Sequence, residues 1–259
     1  MTRLLREHPG VVLSPLSLVA LLIVWELIAR AGMVSPLVLP SPSRIWDGLV
    51  ILFTADWFPQ HVWLTTAETL IGFAIGGVAA IALGIVMVNL RIFKEIIYPY
   101  VVAFQVMPKV VLAPIFITWF GFGMESKVVM AIAISFFPVV INTVVGLESV
   151  QENELLLMRS LVASRNQIFW KLAWPTALPS IFAGLKTSLT LALIGALVAE
   201  FVTAKDGLGT LITTFSFELK VYLVFAVIVV VSLLGLVLYG IMEVLERKIV
   251  FWRQSRFIG

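Results

Sequence analysis

Cysteine is absent from this 259-residue chain, so neither a disulfide framework nor a thiolate metal site can be built from it. Histidine is nearly absent as well. His8 and His61 stand far apart in the chain with no ligand cluster around them, which argues against a metal centre. Charged residues make up only 13% against 61% hydrophobic, a balance far outside that of soluble domains. The formal net charge of +3 is no nucleic-acid footprint, because the basic residues lie at the edges of apolar runs rather than in one patch. There is no G-x-x-x-x-G-K-[ST] phosphate loop, no G-x-S-x-G elbow and no carboxylate pair at catalytic spacing in a soluble domain, so nothing supports an enzyme.

What the chain has is apolar length. A bilayer core needs roughly 20 apolar residues per helix, and six segments reach it: about 13–32, 66–90, 97–120, 127–147, 178–202 and 221–243. The first is too long for a typical signal-peptide core and lacks a small-x-small cleavage site, so it reads as a retained span. The expectation is an all-α, multi-pass membrane protein. With the N-terminus in the cytoplasm, the inner segments hold eleven basic residues: Arg3, Arg6, Arg91, Lys94, Arg159, Arg165, Lys171, Arg247, Lys248, Arg253 and Arg256. The outer ones hold five, namely Arg30, Arg44, Lys127, Lys205 and Lys220. That bias predicts both termini in the cytoplasm, with residues 33–65 outside and a short surface helix near Ser43 to Phe53.

Three spans carry features beyond hydropathy. The second contains Gly72 and Gly76 in a G-x-x-x-G, which suits close helix packing within the chain or a dimer seam, the former favoured. The third is interrupted by Pro99, Pro108 and Pro114 and holds Gln105 and Lys109, so it belongs inside a bundle or beside a water-filled path. Two readings of Lys109 stand: an aqueous or anionic partner in the path, or a side chain snorkelling to the cytoplasmic interface. Phe104, Gln105, Met107 and Lys109 are the candidate lining of the path. Lys186, early in the fifth span, reads as snorkelling. Glu200, about 33 Å along that helix, reads as a solvated outer helix end or as a gate or receptor contact; it is placed with the candidate path residues.

Between two apolar runs lies a polar island from Glu154 to Pro179, with Arg159, Arg165 and Lys171 among Ser160, Ser164, Asn166 and Gln167. Leu161, Ile168 and Leu172 fall near helical spacing with Phe169 beside them, giving one or two amphipathic helices that end before Pro175. A plain loop needs no apolar face, so the island is a candidate dock for a soluble partner.

At these residues the chain resembles a known family. RSLVASRNQIFWKLAWPTALPSIFAGLKTSL is similar to the EAA loop of permease subunits in binding-protein-dependent ABC importers. Leu156, Leu157 and Met158 stand at that family's E-A-A triplet and Val162 at its glycine. MPKVVLAPIFITWFGFGMESKV (107–128), LVAEFVTAKDGLGTLI (197–212) and the opening LPSPSRIW resemble the branch with alkanesulfonate, taurine, nitrate and thiamine-precursor permeases. The resemblance implies a type I ABC importer permease fold with six transmembrane helices in the bacterial inner membrane. It implies one permease domain over 1–259 with a cytoplasmic coupling loop at about 154–177. Leu161, Ala163, Ser164, Arg165, Gln167, Ile168, Phe169 and Lys171 would then seat in an ATPase subunit. The implied partners are two copies of that ATPase carrying ATP and magnesium, a second copy of the permease, a periplasmic or lipoprotein solute-binding protein and membrane lipid. The solute would be an organic sulfonate, a nitrate-like anion or a pyrimidine-type precursor. The rival reading is a secondary transporter driven by an ion gradient, which a coupled acidic residue at mid-membrane would favour; Glu26, Glu68 and Glu200 all lie toward span ends.

Overall fold

The computed structural model describes residues 9–203 and 205–252, with Pro9 to Pro15 by backbone only. His8 and, of the basic residues that set the expected orientation, Arg3, Arg6, Arg253 and Arg256 lie outside the described residues. The regular structure is helical: α1 (Pro9–Arg30), α2 (Pro42–Thr54), α3 (Phe58–Asn89), α4 (Arg91–Val106), a 3-10 turn (Lys109–Leu112), α5 (Ala113–Phe120), α6 (Met124–Glu148), α7 (Glu152–Ser160), α8 (Arg165–Ile168), a π turn (Phe169–Ala173), α9 (Trp174–Thr203), α10 (Leu208–Phe217) and α11 (Val221–Ile249). No strand occurs among the described residues. Phe58–Asn89, Met124–Glu148, Arg165–Thr203 and Val221–Ile249 are long and apolar enough to cross a bilayer, and the bent pair α4–α5 is a fifth candidate. The first expected span falls on α1, a helix of 22 residues.

The third expected span is not one continuous helix. α4 and α5 meet at 88° across the 3-10 turn. Pro108 caps that turn and Pro114 opens α5, each removing an N–H that a continuous helix would need. The fifth expected span instead starts earlier than its hydropathy suggested. Arg165–Thr203 runs as one helical segment, and Pro175 lies inside it. The widened π turn falls just before that proline, where the i→i−4 ladder loses a donor.

Contacts divide the chain into two compact units. One comprises the described residues up to Gln60 with Leu211–Val231, and the other His61–Thr210 with the described residues from Ser232 on. In the first unit, Ser41 caps α2 by accepting from Arg44 N, and Glu26 of α1 accepts from both the backbone N–H (3.0 Å) and the hydroxyl (2.8 Å) of Ser43. The L-P-S-P-S stretch is therefore helix-starting chemistry for α2, the short helix expected near Ser43 to Phe53.

In the second unit α6 packs against both α3 and α9 through small residues. A Cβ at Gly72 or Gly84 of α3 would overlap Ala131 or Thr143 of α6, and one at Gly195 of α9 would press on the Ala131 backbone. The Gly72/Gly76 motif is thus an intramolecular seam facing Ala131, Ile132 and Ser135. Lys186 does not snorkel freely; its ammonium lies 2.5 Å from Glu246 of α11, with both side chains mostly buried.

Candidate functional site

The polar island folds as a helix–turn–helix. α7 ends in a Schellman turn, with Ala163 N donating to Met158 O at 3.0 Å and Val162 N to Arg159 O at 2.9 Å. Such a turn needs a left-handed residue, and Val162 supplies it at φ +56°. This is the position where the resembled pattern has glycine, and valine here takes the left-handed conformation that glycine favours. Ser164 then opens α8 with a capping box: its hydroxyl accepts from Gln167 N, and Ser164 N donates to the side-chain Oε1 of Gln167 at 2.8 Å.

The residues expected on the docking face separate into two groups. Leu161, Ser164, Arg165, Gln167 and Lys171 are exposed, and Ala163 and Ile168 are half-buried. Phe169 is turned inward, against the core of Leu147, Ala177 and Ile181. The exposed aromatic is Trp170, at 58% accessibility, with Leu156, Leu157 and Val162 also open. Sequence reasoning missed Trp170 because Phe169 and Trp170 are adjacent aromatics, and only the packing shows which of them meets the core.

Of the candidate path residues, the fold gathers three. Phe104, Met107 and Lys109 line a cavity of about 230 Å³ at the α4–α5 bend, with Leu112, Ile132, Phe136 and Phe137. Phe104 stacks on Phe137 with centroids 6.1 Å apart. The Lys109 ammonium sits 4.9 Å from the centre of the Phe137 ring and donates to the Gln105 carbonyl at 3.0 Å. Gln105 thus contributes its backbone. Among the described residues no carboxylate pairs with Lys109.

Glu200 lies elsewhere and is no solvated helix end. It is fully buried. Its carboxylate accepts from Thr65 Oγ1 and from Gly209 N, each at 2.6 Å, at the start of α10. Gly207, at φ +116°, must be glycine, because a Cβ would overlap Glu200 Oε1. Leu208 N donates to Thr65 Oγ1 at 2.8 Å, and Gly207 N to His61 Nδ1 at 2.9 Å. Lys127, assigned by sequence to an outer loop, is buried in the first turns of α6; it pairs with Glu68 at 2.9 Å and donates to Asp206 O at 2.8 Å. The other Glu68 oxygen is buried beside Glu200. The G-L-G of the 197–212 stretch and the distant Glu68 were both visible in the sequence. Their convergence was not, because it depends on α3, α6 and the α9–α10 loop meeting. The cluster fastens that loop to two helices.

Residues 72–251 match the family described as binding-protein-dependent transport system inner membrane component. The chain is 35% identical to the formylaminopyrimidine transport permease protein ThiX of Halalkalibacterium halodurans, over 91% of this chain and 94% of the relative. It is 34% identical to the riboflavin transport system permease protein RibX of Chloroflexus aurantiacus, over 93% and 90%. Other relatives are named for aliphatic sulfonates or taurine. Among solved structures, a chain of the MetNI methionine ABC transporter in an inward-facing conformation superposes with a TM-score of 0.62 at 18% identity, covering 81% of this chain and 99% of that one. The fold is that of an ABC importer permease, and the chain belongs to the binding-protein-dependent transport system inner membrane component family.

Proposed function

We propose that this chain is the membrane permease of an ATP-driven importer, taking a small solute from an extracytoplasmic binding protein and passing it along a path formed by two copies of the chain. ATP and magnesium belong to a separate ATPase, bound in two copies at the cytoplasmic face. Both termini lie on that face, as the basic-residue bias suggests.

The observation that carries the reading is the α7–α8 turn. Its backbone is tightly specified by the Schellman turn at Val162 and the capping box at Ser164, yet its apolar side chains are left open. A rigid element with an exposed tryptophan and a nearby arginine has the composition of an interface anchor. Movement received there passes directly into α9, because Arg165–Thr203 is one helical segment. The test is copurification with the cognate ATPase and solute uptake in vesicles. Trp170→Ala and Arg165→Ala should each release the ATPase or uncouple hydrolysis from uptake, while membrane insertion persists. Full binding and full coupled uptake in both variants would remove the α7–α8 turn as the link.

A further inference from the structure

The cavity at the α4–α5 bend presents its lysine differently from the buried ion pairs of the chain. Lys127 and Lys186 face carboxylates at 2.9 and 2.5 Å, whereas Lys109 faces the π face of Phe137 and a single carbonyl. One ammonium proton is spent on Gln105 O, which leaves donor capacity on Nζ at the rim of the cavity. Apart from Lys109 the lining side chains are apolar, and two phenylalanines lie nearly parallel, with 19° between their planes. Phe104 keeps 54% of its surface accessible although it is already stacked on one side.

We propose that this cavity is a contact site for a planar, single-ring nitrogen heterocycle of pyrimidine size, its face against the Phe104–Phe137 pair and a ring or carbonyl acceptor on the Lys109 ammonium. The assignment rests on the importer reading above and narrows its solute. About 230 Å³ lies below the usual range for drug-sized ligands and suits a single ring better than the three rings of a flavin. A sulfonate carries a full charge on three oxygens and would lose its hydration to a wall offering one ammonium already shared with a ring, an unfavourable exchange. A neutral aminopyrimidine brings a π face and few acceptors, which is what the wall can satisfy.

Because the chain has no cysteine, Met107→Cys, at the cavity wall and 40% accessible, gives a single reporter thiol without background. The permease–ATPase complex is reconstituted in lipid nanodiscs, and the rate of maleimide labelling is measured with formylaminopyrimidine, riboflavin or taurine as probe. Formylaminopyrimidine should slow labelling at Met107→Cys in a saturable way, with no effect at a Leu219→Cys control and none from taurine or riboflavin. Adding Phe137→Leu, which keeps apolar volume but removes the ring, should raise the protecting concentration about three- to tenfold, while Phe137→Tyr should not. Protection by taurine alone would overturn the heterocycle. Labelling blocked in the absence of any probe would show a lipid chain or the second copy filling the cavity, and would overturn the site. If uptake of some solute is coupled to ATP hydrolysis but no probe protects Met107→Cys, the site fails and the importer reading stands. If no ATPase accompanies the chain, the importer reading itself fails.

Discussion

Two lysines within the apolar part of the chain meet opposite fates. Lys127 is 4% exposed, paired with Glu68 and bonded to the Asp206 carbonyl, so its charge is consumed inside the chain. Lys109 is half-buried over an aromatic ring and has no carboxylate partner among the described residues, so its charge remains open to something else. Phe169 and Trp170 repeat the contrast one residue apart, the first packed into the core and the second facing outward. On the proposed reading, residues with closed chemistry hold this fold and residues with open chemistry meet solute or partner. Substitutions should separate the two kinds by whether they damage stability or transport.

The largest expected effect is at Lys127. Lys127→Met leaves Glu68 and Glu200 buried without a counter-ion, a loss of about 3–5 kcal/mol. It should appear as a strongly lowered melting temperature in detergent. Adding Glu68→Gln should recover part of that loss, since removing both partners of a buried pair costs far less than removing one. Unchanged melting in the single variant would mean that Lys127 is not closed chemistry at all.

Next comes the aromatic pair. Trp170→Ala should weaken ATPase association by about 2 kcal/mol or more, roughly thirtyfold, with little change in melting. Phe169→Ala should do the reverse, destabilising the Leu147–Ala177–Ile181 cluster by a few kcal/mol, about 3 at the lower end of core truncations. Exchange of these two phenotypes would invert the assignment of faces.

Val162→Gly tests the turn. A left-handed non-glycine residue costs about 1–2 kcal/mol, partly offset by glycine's extra freedom in the unfolded chain of about 0.5–1 kcal/mol. The variant should therefore stabilise the turn by about 0.5 kcal/mol, read as slower hydrogen exchange at Val162 and Ala163. Faster exchange would show that the valine side chain contributes contacts of its own.

The smallest stability effect belongs to Lys109. Lys109→Met should change melting by no more than about 0.5 kcal/mol, as for surface substitutions generally, while solute uptake falls clearly. A large melting change with normal uptake would move Lys109 into the same class as Lys127.

Much of this was legible in the chain. The apolar runs, the short helix near Ser43 and the amphipathic island follow from local pattern, whereas the turn at Val162 was suggested only by the family resemblance. Hydropathy and capping act over a few residues, so they can be read from a few residues. The glycines of α3 also signalled close packing, though not that their partner was α6.

Apolar length and scarce charge are enough to make the chain a multi-pass helical membrane protein, because they leave a bilayer as the only fitting solvent. Only the tertiary structure decided where the third span breaks, which of two adjacent aromatics faces outward, and that Glu68, Lys127 and Glu200 form one buried cluster. Those outcomes depend on residues far apart in the chain meeting in space, as Thr65 and Glu200 do across 135 positions. Adjacent aromatics point to different sides of a helix, and no local pattern records which of the two the core takes.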